Sequence, residues 1–291
     1  MKVYRSEKVF NTINTLVLTL FTLLVIFPFW YVLACSLTDQ NYFAEKGGLI
    51  FFPTRISFNF YSYLILENDV MLKAYLNTIL YTVTGTAVAL VLSILTAYAL
   101  AEKGLPGRRI ITLFFVFTMY FNGGLVPTYV TMKNYNLVDT RLGFILSLCF
   151  LVFNVILMRT FFEGIPMSLK ESAKIDGASD LRVMLQIVMP LSVPAIATVG
   201  LFYAVGFWND FLHSMLYASG TKITTVQNIL LNIINSAGVP TEMVVSTGRQ
   251  IPSQTGIRMA AIIIVGLPMM ILYPFIQKYF EKGLTLGGEK G

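Results

Sequence analysis

Asp210 and its neighbours are the first residues in this sequence that could do chemistry. The run AVGFWNDFLHS sets Asn209 and Asp210 among Phe207, Trp208 and Phe211 inside an otherwise apolar stretch. Desolvating a carboxylate is costly, so one held in a membrane segment marks a substrate or ion pathway. Aromatic faces beside amide and carboxylate groups also suit a sugar, whose C–H faces stack on rings while its hydroxyls meet the polar groups. A second reading competes with this one. About 30 Å of helix separates Met189 from Asp210, which brings Asp210 near the outer interface, where aromatic belts collect anyway.

Other chemistries are excluded more simply. Cys35 and Cys149 lie in apolar runs and read as small buried hydrophobes. With His213 as the sole histidine, no CxxC or Cys/His spacing suggests a metal site. No G-x-x-x-x-G-K-[ST] phosphate loop occurs, so the chain has no ATPase site of the usual kind. No nucleophile–base pair stands out. The net charge of +6 is spread over loops rather than gathered into a patch, which argues against nucleic acid.

A charged stretch, EGIPMSLKESAKIDGASDLRVMLQIVMP at 163–190, interrupts long apolar runs. Pro166 suits the first turn of a helix, and residues 167–176 can form about three turns. Glu171 and Lys174 are spaced to pair on its surface, and Leu169 and Ala173 share a face. Gly177 is expected to cap the helix in a left-handed conformation. Ser179 is placed to cap the next helix, and Pro190 and Pro194 to bend or start the span that follows. The product is a short rigid helix with an elbow on each side. It is shaped either to dock into a groove on another protein or to lie on lipid headgroups.

The elements around these residues are membrane helices. The 291 residues are 56% hydrophobic and 12% charged, with a mean hydropathy of +0.70; soluble domains carry about a quarter charged residues. Six spans are expected, at 14–37, 72–101, 110–132, 142–162, 189–216 and 257–279, in one all-α membrane domain covering 1–291. The first is too long for a signal peptide. With both termini cytoplasmic, the N-terminus holds Lys2, Arg5 and Lys8, the second loop Lys103, Arg108 and Arg109, the fourth Arg159, Lys170, Lys174 and Arg182, and the tail Lys278, Lys282 and Lys290. That distribution satisfies the positive-inside rule.

Gly85, Ala89, Ser93, Ala97 and Ala101 recur every fourth residue in the second span and give one face on which another helix can approach closely. In the third span, FNGGLVPTY places Asn122, Gly123, Gly124 and Pro127 inside an apolar run. Either the helix is broken beside a pathway, or the span ends near Phe121 and another segment follows.

The segment ESAKIDGASDLRVMLQIVMPLSVPAI resembles the cytoplasmic signature of ATP-binding-cassette importer permeases, with Glu171, Ala173, Asp176, Gly177, Ala178, Ile187 and Pro190 matching and Ser172 and Met189 departing from it. FWNDF at 207–211 and the ending KGLTLGGEKG are similar to the sugar-importer branch that includes the maltose permease pair; FNGGLVPTY resembles the oligosaccharide subgroup. The resemblance implies a type I importer transmembrane domain in which 166–177 is the coupling helix. Lys170, Glu171, Ala173, Lys174, Asp176, Gly177 and Ala178 would then contact or shape the ATPase interface. Asn122, Gly123, Trp208, Asn209, Asp210 and Phe211 are the candidate pathway residues.

The resemblance also implies partners: an ATPase dimer that binds the ATP and Mg, a second related permease, and an extracellular sugar-binding lipoprotein or periplasmic binding protein. The loop at 217–256 would face that binding protein, with a polar tip near 239–254. The basic, glycine-rich tail after Phe280 reads as an unordered end or as an ATPase contact. A permease for an amino acid, peptide or phosphate shares the signature; a secondary transporter or a membrane scaffold would not require it.

Overall fold

The computed structural model describes residues 5–45, 50–53, 55–67, 69–220, 222–236 and 252–288. Its elements are all helical, apart from an isolated bridge between Thr38 and Ile56. They are α1 (Arg5–Ser36), α2 (Gln40–Glu45), α3 (Asn59–Ile65), α4 (Asp69–Ala101), α5 (Arg108–Tyr120), α6 (Leu125–Asn134), α7 (Arg141–Leu148), α8 (Val152–Glu163), α9 (Met167–Ile175) and α10 (Asp180–Val183). A π-helical turn, Met184–Val188, leads into α11 (Met189–Leu191), then α12 (Val193–Asn209), α13 (Leu212–Tyr217), α14 (Val226–Asn235) and α15 (Gln254–Gly288).

Three of these are long and apolar enough to cross a bilayer: Glu7–Ser36, Asp69–Ala101 and Gln254–Leu272. Three further candidates are bent pairs: α5 with α6 at 110°, α7 with α8 at 52°, and Asp180–Leu191 with α12 at 85°. The expected runs therefore hold as apolar segments, while those at 110–132, 142–162 and 189–216 are not continuous helices. The run at 110–132 stops at Tyr120, and α6 leaves at a steep angle. The run at 189–216 stops at Asn209, because Asp210 turns to an extended ψ of 119°. The last helix continues past 279 through Gly288; glycines at 283, 287 and 288 disfavour this, and no described contact accounts for it.

The chain packs as two units, Met1–Leu72 with Leu230–Leu267, and Lys73–Ile229 with Pro268–Gly291. In the first, most of α1 is exposed, as a lipid-facing helix is, and only its last turn is buried at Ala34 and Cys35. Ser36 Oγ shares a 2.7 Å hydrogen bond with Tyr61 Oη, and Trp30 Nε1 donates to Phe51 O at 2.8 Å. At the end of α14, the Arg258 guanidinium donates to the carbonyls of Ile233 and Ser236. A helix C-terminus leaves carbonyls without intrahelical donors, and a cation there also answers the helix dipole.

The second unit holds the main core. Its seam is the small-residue stripe of α4: Ala89, Ser93 and Ala97 are fully buried and Ala101 nearly so. The reason for Gly85 is steric. A Cβ there would lie 2.4 Å from the Phe207 ring of α12, so only glycine lets these helices approach this closely. Phe144 meets Tyr81 at a tilt of 56° and Phe207 edge-on, so the three rings follow one another across the same core.

Candidate functional site

The charged elbow folds locally much as its residues dictate. Pro166, with φ −54° and ψ 129°, sits just outside α9 rather than in its first turn. At the far end Gly177 has φ 83°. Ala178 N donates to Ala173 O at 2.9 Å and Gly177 N to Lys174 O at 3.0 Å. These are the paired bonds of a Schellman cap, which closes the helix and reverses the chain. Ser179 Oγ accepts from Arg182 N and so caps α10.

Lys174 does not pair with Glu171. Its Nζ lies 2.9 Å from Asp180 Oδ1, bridging the last turn of α9 to the first of α10, and the carboxylate raises the lysine pKa above its ordinary value. Tyr98 Oη donates to Asp180 O and ties this elbow to the end of α4.

The two faces of α9 differ in kind. Ala173 and Ala178 pack on the core, and Lys170 is 4% exposed. Lys170 Nζ reaches Phe162 O at 3.4 Å, in the last turn of α8. A cation on those terminal carbonyls is favourable, so Lys170 holds α9 against α8 rather than facing outward. Leu169, expected to share a face with Ala173, is 43% exposed, and Ile175 is 86% exposed. Glu171 and Asp176 are exposed as well. The outer face of α9 thus presents apolar side chains around a carboxylate that has no ion pair among the described residues.

A cluster unforeseen from the sequence backs this elbow. Glu163 Oε1 accepts from Arg159 Nε at 2.8 Å and from Arg108 Nη2, while Arg108 Nε also donates to Leu100 O and Arg159 Nη1 to Thr112 Oγ1. It joins α5, α8 and the end of α4. The four-residue spacing of Arg159 and Glu163 was its one legible signal; Arg108 arrives only through folding.

The pathway candidates are not gathered into one place. Asn122 and Gly123 are exposed between α5 and α6, where Asn122 Oδ1 accepts from Gly124 N at 3.0 Å. Trp208 is buried, edge-on to Tyr75. Asn209 and Phe211 are exposed. Asp210 Oδ1 accepts from His213 N at 2.8 Å and Ser214 N at 3.3 Å, and Oδ2 lies 2.7 Å from His213 Nδ1. Both carboxylate oxygens are thus committed to starting α13. Asp210→Ala is expected to lower stability by about 1 kcal/mol, the usual worth of such a cap, and Asp210→Asn by much less. Melting midpoints of the detergent-purified variants check this; equal losses would deny the cap.

The break between α7 and α8 has a tertiary cause. No proline lies there. Instead Leu151 N donates to Tyr203 Oη at 3.0 Å, and the same hydroxyl shares a 2.8 Å bond with Ser93 Oγ. One buried phenol on α12 therefore joins α4 to the broken helix. Tyr203→Phe is expected to cost about 1–3 kcal/mol by stranding those groups. In a double-mutant cycle, Ser93→Ala should cost less when combined with Tyr203→Phe than alone; strict additivity would deny the network.

Such an array of apolar, broken helices with one rigid polar elbow is that of a polytopic membrane protein. The chain belongs to the family of binding-protein-dependent transport system inner membrane components, whose model matches residues 100–286. It is 41% identical over 276 residues to the polygalacturonan/rhamnogalacturonan transport system permease protein YtcP of Bacillus subtilis, covering 94% of this chain and 96% of that one. It is 36% identical to the LplC protein of the same organism, over 99% and 97% of the two chains. The diacetylchitobiose uptake permease NgcG of Streptomyces coelicolor is 28% identical, over 97% and 90%. Among solved structures, the crystal structure of a bacterial ABC transporter involved in the import of the acidic polysaccharide alginate matches with a TM-score of 0.88 and 32% identity, covering 95% of this chain and 98% of that one. The importer-permease fold is therefore this chain's fold, and the chain is a membrane subunit rather than a catalytic one.

Proposed function

We propose that this chain is the permease subunit of an ATP-driven importer that carries an oligosaccharide into the cytoplasm by alternating access. The observation that carries the reading is α9, a Schellman-capped helix held by Lys170 and Lys174 that exposes Glu171 and Ile175 outward. Relatives over nearly the full length that are named as permeases for saccharides support it.

In this reading the three long helices and three bent pairs make six crossings, both termini are cytoplasmic, and α9 lies on the cytoplasmic face. Glu171 anchors α9 in an ATPase subunit through charge-assisted hydrogen bonds. Leu169 and Ile175 bury apolar area there. Gly177 supplies the turn, Ala173 and Ala178 the close fit to the core, and Lys170 and Lys174 the stiffness. Asp176 is exposed and faces the same partner. Closure of the ATPases on ATP and Mg would carry α9, and with it α8 and α5 through Lys170 and the Glu163 cluster. A second permease completes the pathway, and an extracellular sugar-binding protein delivers the substrate. The polar tip expected to face that protein lies largely in 237–251, outside the described residues. Asn122 and Gly123 remain candidates for the pathway wall, whereas the committed oxygens of Asp210 favour a structural role for that residue.

The test is a pull-down of the tagged chain from native membranes in mild detergent, with partners identified by mass spectrometry. An ATPase, a second permease and a sugar-binding protein are the expected set. Absence of any ATPase, even after cross-linking at Lys174, would move a secondary transporter to the front.

A further inference from the structure

Residues 50–53 lie back along α1 instead of standing clear of its end. Asp39 N donates to Arg55 O at 3.1 Å and Ser57 N to Leu37 O at 2.8 Å, and Thr38 bridges to Ile56. Those bonds pin 55–57 level with the end of α1. The segment before them reaches further in. The Phe51 ring lies 6.1 Å from that of Phe27 and 6.5 Å from that of Tyr31, and the Phe52 ring 6.0 Å from that of Trp30. These helix residues stand roughly 8–14 Å inside the end of α1 at Ser36.

That depth can be set against a bilayer. The apolar stretch of α1, Glu7–Ser36, has 30 residues, about 45 Å of helix against a hydrocarbon core of about 30 Å. With α1 centred, its last ~7 Å lie among the headgroups. Phe51 and Phe52 then sit at the edge of the hydrocarbon.

The side chains divide accordingly. Ile50 is 2% exposed and packs with Tyr31, Cys35, Tyr42 and Met259. Phe51 and Phe52 are 52% and 72% exposed, beside the exposed rings of Phe27, Phe29 and Trp30. Their surface continues the bare apolar side of α1. Rings so exposed are costly in water and ordinary in lipid. No charge occurs from 50 to 53, and Arg55, the first cation after them, is exposed at the level of the headgroups.

Non-helical backbone at such a depth needs its polar groups answered. Trp30 Nε1 donates to Phe51 O at 2.8 Å, and Cys35 Sγ lies 3.9 Å from Ile50 O. Pro53 has no N–H to place. The N–H groups of Phe51 and Phe52 have no acceptor among the described residues, and the ester carbonyls of phospholipids supply acceptors at that level.

We propose that residues 50–53 are a lipid-inserted wedge. Ile50 fastens the segment to the protein, Trp30 holds its backbone, and Phe51 and Phe52 contact the acyl chains of the leaflet at the C-terminal end of α1. Only the last turn of α1 is buried in protein, so the wedge braces a helix that has little else to fix its depth. The proposal depends on α1 crossing the bilayer and on nothing about cargo or partner subunits.

The test is made on the assembled complex in native membranes. Phe52 is replaced by the photoreactive p-benzoylphenylalanine, which joins to the nearest C–H bond on irradiation. The expected result is an adduct of phospholipid mass on the peptide that carries position 52. Adding Trp30→Phe removes the N–H that holds Phe51 O, and should lower the lipid adduct about fivefold or more with the amount of chain in the membrane unchanged. A cross-link to another protein subunit would overturn the wedge and make the segment a protein interface. No adduct of either kind would place Phe52 in water and overturn it as well. A lipid adduct undiminished by Trp30→Phe would overturn the part assigned to Trp30.

Discussion

Gly143→Ala is expected to be the most damaging single-methyl change among the described glycines. The Cβ it adds would lie 1.9 Å from Leu137 O and 2.9 Å from the Leu137 carbonyl carbon. Backbone cannot rotate away as a flexible side chain can, so the loop at 137–140 or the first turn of α7 has to move. That movement also breaks the cap in which Thr140 Oγ1 accepts from Gly143 N at 2.9 Å. Asp139 is next to go: it sits at φ 55°, and its Oδ1 accepts from both Ser219 N and Ser219 Oγ. Overpacking of this kind costs about 3 kcal/mol or more, with about 1 kcal/mol from the lost cap included. The purified variant should melt well below the wild type, and its yield from membranes should fall. A melting point within about a degree of wild type would mean that the close approach of Gly143 to Leu137 is absent in the folded protein.

The largest functional effect without loss of folding is expected at Gly177. Nothing lies within 4 Å of a Cβ placed there, so the cost comes from the backbone alone. At φ 83° a β-branched residue is strained by about 1–2 kcal/mol, and the strain is relieved by opening the Schellman cap. Opening it swings α9 on its remaining ties, and Glu171 leaves its place on the outer face. Gly177→Val should therefore reach the membrane in normal amounts, yet show ATP-driven uptake reduced at least about tenfold. Gly177→Asn, which tolerates the left-handed region, should keep most of its activity. If valine and asparagine behaved alike, the left-handed turn would not be what positions α9.

The elbow was legible in the sequence because its determinants are local. Gly177, Ser179 and the charges from Lys170 to Asp180 act within a few residues of one another, and a glycine cap or a serine N-cap needs no distant partner to form. The same holds for the small-residue stripe of α4, which follows from a period of four on a helix and was found buried against α12. What local reasoning missed inside that elbow was a competition between partners. Glu171 and Asp180 are both within reach of Lys174, and Asp180 wins because the cap folds it back onto α9. Lys170 likewise reads as a surface charge until α8 supplies a carbonyl for it.

Apolar composition by itself determined that the chain is a bundle of membrane helices, and the residues at 171–190 determined which family it resembles. Hydropathy is a sum over a window and does not depend on what packs where. The breaks at 121–124 and beside Pro190 and Pro194 carry their glycines and prolines in the sequence, whereas the break between α7 and α8 was decided by tertiary structure. The gap after α7 exists because Tyr203, fifty-two residues away in sequence, takes the Leu151 N–H out of the helical ladder. That Asn154 Nδ2 is left without a partner likewise depends on which acceptors the folded chain brings within about 3 Å. A side chain's type is written in the sequence; whether it is left with a partner is settled by everything folded around it.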